Sequence, residues 1–257
     1  MTDYSGMIKQ VTIRFYAELN DFLPSGKKKV AFSHSFKGNP AVKDVIESIG
    51  IPHTEIDMIL VNGNSVDFGY LLKNNDYISV YPVCETFDIS GVTHLRDKPL
   101  RNTKFILDLH LGKLAKYLRM CGFDTLYQND YDDETIIQIS NATHRIILTR
   151  DVGLLKTGSV SYGYFIRSQQ PGQQLAEVLK HFDLFKTVEP FNRCIKCNGN
   201  LQSIEKQTIL HQLEPNTSKY FDKFFICSQC CNIFWEGSHF ERMKSFINNI
   251  LAQQSDD

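Results

Sequence analysis

Nowhere in this 257-residue sequence does an apolar run reach the ~18 to 20 positions that a membrane-crossing helix requires. Charge of one sign is not in excess either. Lys and Arg number 28 against 29 Asp and Glu, a formal net charge of −1. No global field therefore draws in a polyanion, and any affinity for nucleic acid has to come from a local patch. Repeats and low-complexity tracts are missing. Met1 to Lys9 has neither an apolar signal core nor the Arg- and Ser-rich look of a transit peptide, so the cytoplasm is the expected compartment. Cysteine is scarce and odd in number, at seven. What remains is ordinary: 42% hydrophobic and 22% charged, the proportions of a soluble globular protein. The length suits two or three compact domains.

Three compositional blocks divide the chain. In the first, about residues 7–85, Val11, Ile13 and Phe15 alternate with polar neighbours, the period of a half-buried strand. Val30-Ala-Phe32 is its expected hairpin partner, across a turn with Pro24 and Gly26. Val42, Val45, Ile46 and Ile49 then recur at helical spacing behind Pro40, and Gly50 with Pro52 ends the helix. Ile56 to Val61 and Tyr77 to Val83 read as two more strands. Two strands, a helix and two strands is the order of a ubiquitin-like β-grasp. Residues 86–102 lack periodicity and read as a linker.

The second block, 103–189, alternates strands with helices. Phe105 to Leu107, Asp124 to Tyr127, Arg145 to Thr149 and Tyr162 to Ile166 are the strands. Helices are expected over Leu111 to Leu118, from Asp133 onward, and after Pro171-Gly172. That alternation implies an α/β fold, a parallel sheet flanked by helices. The third block, 190–250, holds most of the cysteines and a closing helix with Phe240, Met243, Phe246, Ile247 and Ile250. Gln253 to Asp257 is expected to fray.

Cys194-Ile-Lys-Cys197 and Cys227-Ser-Gln-Cys230 each have the two-residue gap that lets both thiolates of a knuckle face one ion. Four sulfurs satisfy tetrahedral zinc and leave no open position, so the expected site is structural. The 29 residues between the pairs leave room for a β-hairpin. Without a secretory signal, such pairs read as metal ligands rather than disulfides. Cys231 competes with Cys230, but the knuckle gap favours Cys230. Cys84 and Cys121 are isolated and read as small buried apolar residues.

Asp108 ends one buried strand, Asp151 follows another, and Asp133 starts a helix. The carboxyl ends of parallel strands share one edge, where ligands bind. Converging carboxylates repel unless a cation lies between them, and Mg²⁺ or Mn²⁺ fits oxygen donors. Each aspartate also has a plain reading as a helix cap or strand end. Asp124, Asp130 and Asp132 compete for a fourth acidic position, and His110 reads as a surface or capping residue. Lys113, Lys116 and Arg119 recur every three residues opposite the leucines, a candidate basic stripe for a phosphate backbone. They belong to a cluster between Arg96 and Arg167 that includes Lys98, Arg101, Lys104, Arg145, Arg150 and Lys156. The alternative for all of these is a solvated surface.

Phe105-Ile-Leu-Asp108 with His110-Leu-Gly-Lys-Leu-Ala-Lys-Tyr-Leu-Arg-Met-Cys-Gly-Phe-Asp124 resembles the opening of the PIN-like ribonuclease domain named after the C-terminal part of the Mut-seven exonuclease. The likeness continues through Asp133-Glu-Thr-Ile, Arg145-Ile-Ile-Leu-Thr-Arg-Asp151, Arg193-Cys-Ile-Lys-Cys-Asn-Gly199 and Trp235-Glu-Gly-Ser-His239. Arg14 to Leu23, Pro52-His-Thr-Glu55 and Val61-Asn-Gly63 are similar to the ubiquitin-like domain often fused ahead of it. The resemblance implies a metal-dependent ribonuclease with Asp108, Asp133 and Asp151 as ligands of Mg or Mn, an accessory zinc ribbon, and RNA as partner. Lys113, Lys116, Arg119 and Arg150 are the expected backbone contacts. Where the family usually has glycine after the second knuckle, this chain has Cys231. The first block also resembles sulfur carriers of the β-grasp type, but its last strand runs on through Val83 to Asp88 with no Gly-Gly terminus. Protein or RNA binding is the expected role instead. Two rivals stand beside the nuclease: a non-catalytic RNA-binding adaptor, and a scaffold that binds protein through the β-grasp domain.

Overall fold

The computed structural model of the protein describes residues 8–83 and 103–252. The expected linker, Cys84, Arg96, Lys98, Arg101 and the C-terminal residues from 253 lie outside the described residues. The rest falls into two compact units. One holds residues 8–83, 140–142 and 149–165, the other 103–139, 143–148 and 166–252.

The first unit is built on a β-grasp. β1 (Ile8–Phe15) pairs antiparallel with β2 (Phe32–Lys37), and α1 (Val42–Ile49) follows. β3 (Ile56–Val61), β4 (Asn64–Val66) and β5 (Tyr77–Pro82) complete a five-stranded sheet of order β2-β1-β5-β3-β4. β1 and β5 lie parallel at its centre. Alternation along β1 sends Val11, Ile13 and Phe15 into the core, where Val42, Val45 and Ile46 of α1 meet them. The hairpin partner begins at Phe32, not Val30, which is half exposed.

The same unit takes in residues 149–165, with α4 (Val152–Lys156) and β9 (Gly163–Phe165). Lys156 Nζ donates to the carbonyl of Glu47 (2.7 Å), and the amide of Phe165 donates to Glu55 Oε1 (2.6 Å). His53 bridges Glu47 Oε1 (2.6 Å) and the carbonyl of Val160 (2.9 Å). Buried charge is tolerated here because each group meets a partner.

The second unit's parallel sheet has the order β7-β6-β8. β6 (Phe105–Leu107) runs parallel to both β7 (Thr125–Leu126) and β8 (Ile146–Thr149). All of β6 and β8 is buried, which explains their uninterrupted apolar runs. α2 (Gly112–Met120), α3 (Asp133–Thr143) and α5 (Pro171–His181) flank the second unit's strands. α2 ends at Gly122 with φ +96°, and a Cβ there would collide with the backbone of Glu189.

The ribbon completes the second unit. β10 (Leu201–Ile204), β11 (Phe224–Cys227) and β12 (Ile233–Trp235) form an antiparallel sheet in that order. The β10–β11 connection carries α6 (Lys206–Ile209) and α7 (Pro215–Tyr220). α8 (Ser238–Ala252) then packs against α5 and brings Phe246 onto Tyr117 of α2, ring centroids 4.5 Å apart. Among the described residues, no helix is long and apolar enough to cross a membrane.

Candidate metal centre and acidic strand edge

Two tight turns build the cysteine cluster. One lies ahead of β10, the other between β11 and β12. Cys194 Sγ stands 3.7 Å from Cys230 Sγ, and Cys197 Sγ stands 3.3 Å from Cys227 Sγ. Tetrahedral zinc with ligands at ~2.3 Å spaces its sulfurs by roughly 3.8 Å, so the cluster is close to the size of such an ion. All four are free thiols whose sulfurs lie within 4.8 Å of one another, a set that could hold one structural metal such as zinc. N–H groups aim at these sulfurs: Gly199 at Cys197 (3.5 Å), Gln229 at Cys227 (3.4 Å) and the Asn232 amide at Cys230 (2.9 Å). The Asn232 bond pulls the Cys230 thiol down to about 6, whereas burial pushes Cys194 up to about 12. A coordinated cation overrides the second effect, because it binds the thiolate.

Cys231 is exposed and outside this set. Its φ of +56° is the left-handed conformation that glycine adopts without strain, matched by Asn198 at +74° behind the first knuckle. Gly199 is required for a different reason: a Cβ there would lie 2.8 Å from Cys227 Sγ. Cys121 is fully buried and its thiol pushed up to about 12, as a small core residue should be.

The knuckle is welded to the edge strand of the parallel sheet. Arg119, at the end of α2, is only 4% exposed. Its guanidinium donates to the carbonyls of Thr125 (2.9 Å) and Lys196 (3.0 Å), with longer bonds to Tyr127 and Ile195 (3.4 Å each). It is therefore not part of an RNA-facing stripe, and the expectation for Arg119 is corrected. Asn198 accepts from the amide of Thr125 (2.9 Å) and donates to Asp124 Oδ1 (2.7 Å). Arg145 grips the same carboxylate at 2.7 and 3.1 Å. Sequence reasoning missed this set, yet the strand register holds the signal. Thr125 and Ile146 both pair with Phe105, so Asp124 and Arg145 share the amino edge of the sheet. That edge is opposite to the one that follows Leu107, which removes Asp124 as a fourth acidic ligand.

The carboxyl edge carries the other acids. With strand order β7-β6-β8, the chain leaves β6 in one direction and returns on its other side, a topological switch point. Asp108 follows β6 directly, is 6% exposed, and its amide donates to the carbonyl of Leu148 on β8 (3.1 Å). One of its carboxylate oxygens accepts from the amide of Leu109 (2.5 Å). Asp151, two residues past β8, caps α4 by accepting from the amide of Gly153 (2.6 Å). Asp133 is exposed in the first turn of α3, while neighbouring Asp132 caps that helix through the amide of Thr135 (2.8 Å). Lys113 and Lys116 are exposed on α2, Arg150 is half-buried, and His110 is a surface residue. Among the described residues, only the four cysteines form a group of three or more ligand atoms close enough for one ion.

A β-grasp block, a parallel sheet and a four-cysteine ribbon thus follow one another along the chain. A model of the Mut7-C RNAse domain matches residues 103–247, and a model of the Mut7-C ubiquitin domain matches residues 8–88. The first match covers more than half of the chain, which belongs to the Mut7-C RNase family. No curated protein and no solved structure matches it.

Proposed function

We propose that this chain is a divalent-metal-dependent endoribonuclease that hydrolyses RNA phosphodiesters, with a structural zinc ion in its ribbon. One observation carries the reading. Asp108 is buried at the carboxyl end of the central strand, at a switch point, in a chain of a ribonuclease family. Asp108, Asp133 and Asp151 would hold Mg²⁺ or Mn²⁺, since all-oxygen donors suit a hard cation. Such an ion, when bound, supplies a water of lowered pKa and neutralises charge at phosphorus.

The protein's own contribution is positional. Asp108 and Asp151 each accept a backbone N–H through a carboxylate oxygen, which helps to orient the carboxylate. Lys113, Lys116 and Arg150 would attract the RNA backbone. Cys194, Cys197, Cys227 and Cys230 would take zinc, in keeping with a reducing, cytoplasmic setting. The ubiquitin-like block would add a protein-binding surface. In the direct test, Asp108→Asn lowers metal-dependent cleavage at least about a hundredfold while RNA binding in calcium is kept. Full activity in that variant would refute the assignment.

A non-catalytic RNA-binding adaptor is the second reading. It is favoured by the absence, among the described residues, of a gathered carboxylate group. It predicts salt-sensitive RNA binding with no cleavage under any divalent metal.

A further inference from the structure

We propose that the ribbon carries a nucleobase pocket for single-stranded RNA, walled by Phe225, Phe234, Phe240 and Met243. The choice of ligand rests on the ribonuclease reading above. A cavity of about 290 Å³ opens between the ribbon sheet and α8. Phe225 and Phe234 are direct partners in the β11–β12 ladder, so their side chains share one sheet face. Phe240 and Met243 stand one turn apart on α8, and the Phe191 ring packs on Phe240 with centroids 4.4 Å apart. Phe191 holds φ +65°, a costly conformation for a bulky side chain, and its amide is tied to the carbonyl of Met120 (3.0 Å). Trp235, the next residue on β12, pairs with Phe224 and so turns to the other face of the sheet; it borders the cavity and remains 39% exposed.

Size and chemistry select the occupant. The volume lies at the lower end for small-molecule pockets and suits one planar ring system. Flat aromatic walls are the surfaces on which unpaired bases stack. Asn192 and Glu236 line the same cavity. The Asn192 amide nitrogen donates one N–H to Glu189 Oε2 (2.9 Å) and keeps a second, so the residue can both donate and accept. The Glu236 carboxylate only accepts, so it favours bases with an exocyclic amino group over uracil. Lys244, beside Met243, is an exposed cation for the flanking phosphates, and the exposed Lys196 and Arg242 could join it by releasing Asn232 and the Ser238 carbonyl. An apolar side chain from a protein would use neither the acceptors nor the cations.

Trp235 is the single tryptophan of the chain and borders the cavity, so its emission is a nearby reporter of occupancy. The experiment follows that emission, and in parallel the anisotropy of labelled RNA, in the full-length Asp108→Asn protein with calcium in place of magnesium. The titrants are oligo(A), oligo(U) and an abasic phosphodiester oligomer. Oligo(A) should quench the emission, oligo(U) should bind several-fold more weakly, and the abasic oligomer should bind without quenching. Phe234→Ala should weaken oligo(A) binding about tenfold. Met243→Glu, checked for unchanged zinc content and melting, should abolish the quench in the presence of Trp235. Oligo(A) binding with unchanged emission, or equal quenching by the abasic oligomer, would overturn the pocket. Absence of any RNA binding would overturn it too, and cleavage by the unmodified protein then separately decides whether the nuclease reading stands.

Discussion

Asp124 ties Arg145, ahead of β8, to Asn198 and Arg193 of the first cysteine knuckle, the last at 3.9 Å. Burial alone would raise its pKa. Hydrogen bonds from Arg145 and Asn198, with the nearby Arg193 charge, outweigh burial and hold it below the ordinary carboxylate value. A depressed carboxyl pKa stabilises the fold above the unfolded value, and that stability is lost as pH falls through the folded one. Chemical denaturation from pH 7 downward should therefore show a decline beginning near pH ~4 that Asp124→Asn largely removes. At neutral pH the same variant should cost about 2 to 3 kcal/mol, because the buried Arg145 loses its ionic partner. Cys231→Gly should act in the opposite sense and raise stability by about 0.5–1 kcal/mol, since it relieves a left-handed non-glycine residue. An unchanged or lower melting point would contradict that account of the turn.

Arg119 shows where residue-level reading stopped. Three-residue spacing on an α-helix advances about 300°, so the line through Lys113, Lys116 and Arg119 drifts by about 60° at each step. By Arg119 it has swung about 120° from Lys113, onto the face of Ala115 and beneath the knuckle. Position in the helix decides the rest, because Arg119 sits in the last turn, where the chain bends toward β7. A stripe drawn at this spacing is reliable for two residues and not for three.

At the level of elements, periodicity and punctuation located the longer pieces well. α1, α2, α3 and α5 follow apolar spacing, and β1, β3, β5, β6 and β8 follow alternation or continuous burial. β4 and α4 did not announce themselves. A three-residue strand and a five-residue helix are too short to display a period, and both are held by neighbours rather than by their own pattern. The cysteine cluster was fully legible because knuckle spacing is dictated by ligand geometry. The weld around Arg119, Asp124 and Asn198 required strand register, which local sequence does not display. With a metal ion on the four cysteines, as proposed, much of the ribbon's order should come from that ion. Removal of the ion with a strong thiol-competing chelator should release the β10–β12 sheet, read as loss of hydrogen-exchange protection at Phe225 and Ile226, while β6 and β8 remain protected. Gly199→Ala should reduce metal content for steric reasons, because its new Cβ meets Cys227 Sγ. Full metal occupancy in that variant would show that the turn tolerates a side chain.

At the scale of the whole molecule, a net charge of −1 means that RNA affinity depends on placement rather than on sum. Lys113 and Lys116 lie exposed on the helix that begins four residues after Asp108. Replacing both by glutamine should lower the slope of log affinity against log salt by about 1.4, the value for two contacts on a single strand. An unchanged slope would place the backbone track elsewhere. The fold class, the ribbon and the ubiquitin-like block were all readable from residues and from family resemblance. Whether the carboxyl edge performs hydrolysis is a question of chemistry. The most direct measurement is a time course of a mixed RNA pool with Mn²⁺, with Mg²⁺ and in metal-depleted buffer, for the unmodified chain and the Asp108→Asn/Asp151→Asn double variant. The account predicts internal cleavage that needs the divalent ion and disappears in the variant; equal cleavage by both proteins, or intact RNA under every metal, would contradict it.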